Sequence, residues 1–119
     1  MTTTFAMRQI GKTGLAVPVL GFGTASMGNL YQSISDKVAR DTLSAALDAG
    51  MKLFDTSPRY GLGLSERRVG DVLRSLEKSD YILSTKVGRI LTPDPKARVN
   101  ELRYGFASPM PFDAHYDYT

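Results

Sequence analysis

Met51-Lys52-Leu53-Phe54-Asp55-Thr56-Ser57-Pro58 joins a short apolar run to turn chemistry, and its reading decides the fold. The run is too short for a helix, so Met51 to Phe54 reads as a strand that ends where Asp55-Thr-Ser-Pro58 opens a loop. A helix pattern precedes it. Ser35 is placed to cap that helix, Asp36 adds negative charge to its first turn, and Gly50 stands where it stops. Val38, Ala39, Leu43, Ala46 and Leu47 form its apolar stripe. A second helix follows the strand. Gly61 and Gly63 keep the intervening loop open, Ser65 is placed to cap, and Glu66 lies near the positive end. Val69, Val72, Leu73 and Leu76 fall on one helical face. Gly70 inside this helix costs about 1 kcal/mol relative to Ala, which is tolerable where another element packs closely.

Farther out, Val19-Leu20-Gly21-Phe22-Gly23-Thr24 is apolar without alternation, as in a strand buried on both faces, and Ala25 to Tyr31 reads as loop. Tyr81-Ile-Leu-Ser-Thr85 is a third strand closing at Lys86. Before them, Phe5 to Ile10 and Leu15 to Val19 flank Gly11-Lys-Thr-Gly14 and predict a β-hairpin. The order hairpin, β, α, β, α, β implies a parallel sheet with helices outside. Val87 to Thr119 holds four prolines (Pro93, Pro95, Pro109, Pro111) and five aromatics without a clear period. That is too aromatic for a disordered linker and reads as one long functional loop.

The 119 residues amount to one small domain of ordinary globular composition. There is no cysteine, which excludes disulfides, thiolate nucleophiles and Cys-ligated zinc, and the single His115 reads as a surface or loop residue. No metal site is expected. No apolar stretch approaches a bilayer span and the N-terminus lacks a signal-peptide pattern, so a cytoplasmic protein without membrane partners is expected. A nucleic-acid role would rest only on a pI near 9.3, while the net charge is +3 and the basic residues are scattered, so no nucleic-acid partner is expected.

Asp55 ends one strand, Tyr60 lies five residues on, and Lys86 ends the next strand. The C-terminal ends of parallel strands gather on one rim, where ligands bind. Each residue alone has a simpler role: a turn cap, a half-exposed loop tyrosine, a solvated strand end. Together they make a usable set. An ammonium beside a phenol favours the phenolate, and a carboxylate keeps the ammonium charged and aimed. The outcome is an acid/base able to exchange a proton with a carbonyl or hydroxyl oxygen. Gly21-x-Gly23 and Gly61-x-Gly63 each lack the third glycine of the dinucleotide fingerprint, and neither has a P-loop ending.

Leu20-Gly-Phe-Gly-Thr24, Phe54-Asp-Thr-Ser-Pro-Arg-Tyr-Gly61, Ser65-Glu66 and Ser84-Thr-Lys-Val-Gly88, in that order and spacing, resemble the N-terminal part of the aldo-keto reductase family. The resemblance implies an α/β protein forming part of a (β/α)8 TIM barrel: the N-terminal hairpin, strand-helix-strand-helix-strand, and a long loop, with residues 1–119 as the incomplete N-terminal portion of the barrel domain. It implies NADP or NAD as cofactor without a Rossmann domain. It puts the family's catalytic Asp, Tyr and Lys on Asp55, Tyr60 and Lys86, and places Gly23, Thr24 and Asp55 near the nicotinamide and its ribose. The family's catalytic His follows a fourth strand, so it falls beyond Thr119, and His115 does not match it.

Arg103-Tyr-Gly-Phe-Ala-Ser-Pro-Met-Pro-Phe-Asp-Ala-His-Tyr-Asp117, with Ala25-Ser-Met-Gly-Asn-Leu-Tyr31, is similar to a branch holding D-threo-aldose 1-dehydrogenases (L-fucose dehydrogenase-like) and pyridoxal 4-dehydrogenases. The implied reaction is hydride transfer between the nicotinamide and an aldehyde, an aldose or a cyclic hemiacetal that becomes a lactone. A barrel of this kind needs roughly 250 residues. The isolated 119 residues are therefore expected to be marginally folded and inactive. The alternative is a non-catalytic fragment or a partner-binding subunit of the same fold, docking through its open edge and aromatic tail.

Overall fold

In the computed structural model, which describes residues 4–99 and 101–119, the chain is an α/β assembly of seven short strands and two α-helices. Strands β1 (Met7–Gln9) and β2 (Ala16–Pro18) form the expected antiparallel hairpin, with Arg8 opposite Val17. Gly11 and Gly14 take φ of +52° and +75° in its turn. Strands β3 (Phe22–Gly23), β4 (Leu53–Asp55) and β5 (Ile82–Ser84) form a parallel sheet in that order. Phe22 pairs with Phe54, Gly23 with Asp55, and Asp55 with Ser84.

Helix α1 (Asp36–Asp48) follows β3, and α2 (Leu64–Leu73) follows β4. Ser35 caps α1 by accepting from Val38 N at 3.1 Å, and Gly50 just past it has φ of +88°, as the sequence implies. Ala39, Leu43 and Ala46 of α1 and Val69 and Leu73 of α2 bury against Phe54 of the central strand and Met27, making the core. Leu47, Val72, Leu76, Phe22 and Tyr81 pack around it. This apolar burial drives the assembly, at about 25 cal/mol per Å² removed from water.

The structure departs from the sequence expectations at six places. Strand β3 is only two residues long, and Val19 and Leu20 lie outside it with 54% and 44% of their surface exposed, because no layer covers them among the described residues. Val38 is exposed, so the α1 stripe is narrower than its periodicity suggests. Ala25–Gly28 is a 3₁₀ turn that ends at Asn29, whose left-handed φ of 63° redirects the chain. Ser65 does not cap α2: Gly63 holds the cap position, without a side-chain bond, and Ser65 is fully buried inside the helix. Gly70 has no neighbour within 4 Å of where a Cβ would stand, so close packing is not its reason. Finally, the proline-rich segment is not one long loop. Strands β6 (Arg89–Pro93) and β7 (Phe112–Tyr116) pair antiparallel within it, with Leu91 opposite Ala114. Prolines end that ladder (Pro93 opposite Phe112), which blurred its period in the sequence.

Candidate active site

Asp55 is the last residue of β4, and Lys86 lies two residues past the end of β5. The two strands run parallel in register, so both residues reach the same rim of the sheet. There Lys86 Nζ donates to Asp55 Oδ2 at 2.7 Å and to the Thr56 carbonyl at 2.9 Å. Nζ also stands 4.9 Å from the centre of the Tyr60 ring. The three residues proposed from the sequence as a set thus come together. Burial works against the charge on Lys86, but hydrogen bonding and attraction to Asp55 and Tyr60 outweigh it and hold the ammonium above the ordinary lysine range.

The Asp55 end is fixed from behind by hydroxyls. Thr24 Oγ1 donates to the Asp55 carbonyl at 2.8 Å, and Thr24 N donates to the same oxygen at 3.0 Å. Ser65 Oγ lies 2.8 Å from the Thr24 carbonyl, 2.8 Å from Thr24 Oγ1 and 2.9 Å from Thr56 Oγ1. All three hydroxyl residues are buried, so each requires these partners. Thr24 therefore turns inward and supports the strand end that carries Asp55. Gly23, by contrast, is exposed, with open space where a Cβ would stand. That open backbone, beside half-exposed Asp55 and Lys86, is where a ligand can approach the rim.

Tyr60 sits in a compact loop. Tyr60 N donates to Ser57 O, Gly63 N to Pro58 O, and Ser65 N to Tyr60 O. Leu62 takes a left-handed φ of 55°, uncommon for a branched side chain, and is held there by complete burial. A Cβ on Gly28 would meet the Tyr60 carbonyl carbon at 2.5 Å, so glycine lets the two backbones touch. The ring centre of Phe106 is 6.0 Å from that of Tyr60, and Ser108 Oγ donates to the Gly61 carbonyl.

Arg68 ties α2 to the loop before α1. Its guanidinium is buried and donates to Met27 O, Asn29 Oδ1, Ile34 O and Asp36 Oδ1, all at 2.8–2.9 Å. Asn29 in turn donates to Ala107 O. Sequence reasoning did not find Thr56, Arg68, Phe106 or Ser108, and it gave Ser65 the wrong task. Their partners lie 9 to 47 residues away, so no local spacing marks them. His115 is exposed on β7, opposite Ile90, and has no place in this set. Among the described residues no group of three His, Asp or Glu side chains could hold a metal ion, and no helix is long and apolar enough to cross a membrane.

Known proteins resemble this chain in sequence and fold. The model of the aldo/keto reductase family matches residues 19–108. The chain is 48% identical over 89 residues to a D-threo-aldose 1-dehydrogenase of Pseudomonas sp, covering 75% of this chain and 27% of that protein. It is 39% identical over 120 residues to a pyridoxal 4-dehydrogenase of Microbacterium luteolum, covering 94% and 34%. Among solved structures, an aldo-keto reductase of Bacillus halodurans in its holo form superposes with a TM-score of 0.63 at 36% identity, over 71% of this chain and 26% of that one. The chain thus spans about a third or less of these relatives, and its parallel β/α units form part of a (β/α)8 barrel without closing it. With the family match covering most of its length, the chain belongs to the aldo/keto reductase family.

Proposed function

We propose that residues 1–119 form the N-terminal portion of an NAD(P)-dependent oxidoreductase barrel acting on an aldose, another aldehyde or a cyclic hemiacetal, in which Tyr60 is the acid/base and Lys86 and Asp55 tune and orient it. The single observation that carries the reading is the position of Lys86 Nζ, bonded to Asp55 at 2.7 Å while standing 4.9 Å from the Tyr60 ring. When bound, the nicotinamide would accept or supply the hydride. Open space at Gly23 and the half-exposed Asp55 suit its approach from the rim, and Thr24 serves by holding Asp55.

In the oxidative direction the Tyr60 phenolate takes the substrate hydroxyl proton as the hydride leaves the same carbon, and a C=O bond forms there. From a hemiacetal carbon the product is a lactone. In the reductive direction the phenol returns that proton to the carbonyl oxygen. Lys86 stabilises the phenolate in both, because a cation near the ring favours the charged form. The names of the two relatives favour this substrate class, since aldoses and pyridoxal share the cyclic hemiacetal form. The 119-residue chain alone is expected to lack turnover, with the rest of the barrel supplying the missing histidine and most of the cofactor contacts.

The test is Tyr60→Phe in the full-length barrel, with L-fucose, other aldoses and pyridoxal offered with NAD and with NADP. Turnover is expected to fall at least a hundredfold while nicotinamide binding, followed by fluorescence titration, stays within about threefold. Unchanged turnover rejects Tyr60 as the acid/base.

A further inference from the structure

The segment Arg103–Ser108 is folded into a tight turn against the Tyr60 loop, although more than forty residues separate them. Arg103 and Phe106 exchange backbone hydrogen bonds at 2.9 Å in both directions, and Tyr104 and Gly105 between them take left-handed φ of 55° and 86°. The turn is stitched to the loop before α1. Gly105 O accepts from Tyr31 N at 2.7 Å, Ala107 N donates to Asn29 O at 3.0 Å, and Asn29 Nδ2 donates to Ala107 O at 3.0 Å. Arg103 Nη atoms then bind the carbonyls of Ser108, Met110 and Phe112 and fix the exit.

Two side chains of this turn face the Tyr60 loop. Phe106 is 5% exposed and its ring is tilted 34° against that of Tyr60, with centres 6.0 Å apart. Ser108 is fully buried, and its hydroxyl donates to the carbonyl of Gly61, the residue after Tyr60. The Tyr60–Gly61 backbone also abuts Gly28, where no Cβ fits. The loop is therefore held through its backbone by Ser108 and Gly28 and through the tyrosine ring by Phe106.

We infer that Phe106 and Ser108 are positioning residues that keep the Tyr60 phenol against the Lys86 ammonium. The inference rests on the reading of Tyr60 as the acid/base. Neither residue carries charge, and neither reaches the Asp55–Lys86 pair by a hydrogen bond, so their effect acts on the placement of Tyr60. A misplacement of about 1 Å at a reacting group can cost a hundredfold in rate.

The experiment uses the full-length barrel with Phe106→Leu, which keeps apolar volume, and Ser108→Ala, each alone and combined with Tyr60→Phe. The single variants are expected to lower kcat about tenfold to a hundredfold, with KM and nicotinamide affinity within about threefold. That split between kcat and KM is the readout that a general weakening of the fold would not give. Added to Tyr60→Phe, the same changes should cost nothing further, as expected for residues acting through one group. If Tyr60→Phe abolishes turnover while both single variants keep wild-type kcat, the inference is overturned and the reading of Tyr60 stands. If Phe106→Leu lowers only the melting temperature, its role is structural and the inference is likewise overturned. If Tyr60→Phe is fully active, the underlying reading fails first.

Discussion

Lys86 Nζ lies 2.7 Å from Asp55 Oδ2 with both side chains nearly half exposed, at 45% and 46% of their surface. An ion pair this wet contributes little to stability, so on the proposed reading its use lies in aiming the ammonium. Asp55→Asn should therefore leave the melting temperature nearly unchanged and sharply reduce turnover in the full-length barrel.

The same pair has a pH signature. Burial opposes the Lys86 charge, but hydrogen bonding and attraction to Asp55 and Tyr60 raise its folded pKa above the ordinary value near 10.5. A raised lysine pKa stabilises the fold fully below the unfolded pKa, and that contribution disappears as pH rises through the folded value. The stability difference between wild type and Lys86→Met should be flat up to about pH 10 and then narrow in denaturant titrations. A difference that instead grows with alkalinity would refute the pairing.

Arg68 presents the opposite balance. Its guanidinium is buried and satisfies three protein oxygens besides Asp36, whose own side chain is 73% exposed. Arg68→Met leaves Met27 O, Asn29 Oδ1 and Ile34 O without this donor and should cost about 2–4 kcal/mol in denaturant unfolding. Asp36→Asn, at the wet end of the same bond, should cost under about 1 kcal/mol. Equal losses from the two would show that the ion pair, not the buried hydrogen bonds, holds the loop.

The difference between Arg68 and Asp55 marks what the sequence could convey. The hairpin, the three parallel strands, both helices, the Ser35 cap and the Gly50 stop follow local rules of period and capping, and they were legible. Asp55, Tyr60 and Lys86 were legible because strand ends share a rim whatever the details of packing. Ser65 was misread because a serine at the start of a helical pattern fits a cap by propensity, and only the approach of Thr24 and Thr56 reveals a buried hydroxyl cluster. The β6–β7 pairing was hidden because prolines at its end mask alternation, and because its turn gains order from Asn29 and Tyr31, over seventy residues earlier.

Ser65 itself offers a measurement of that distinction. Loss of a cap by substitution with Ala costs about 0.5–2 kcal/mol and shows as fraying of the first helical turn. Loss of a buried hydroxyl that binds the Thr24 carbonyl and two other hydroxyls should cost about 1–3 kcal/mol. Ser65→Ala is therefore expected to lower the denaturant midpoint clearly while leaving helical circular dichroism intact in the native baseline. A loss confined to helix content would restore the capping role.

Gly28 and Gly61 test the placement of the Tyr60 loop from the backbone side. A Cβ on Gly28 would stand 2.5 Å from the Tyr60 carbonyl carbon and 2.6 Å from Gly61 N, and neither backbone atom can swing away as a side-chain end could. Gly28→Ala must push the loop outward, and overpacking of this kind costs about 1–3 kcal/mol. Gly70→Ala is the matched control, since its Cβ meets nothing within 4 Å and gains about 1 kcal/mol of helix propensity. Gly28→Ala should therefore destabilise the fold and, on the proposed reading, slow turnover by displacing Tyr60, whereas Gly70→Ala should stabilise the fold and leave turnover alone. If both substitutions move stability in the same direction, the contact between the 3₁₀ turn and the Tyr60 loop is looser than the backbone distances require.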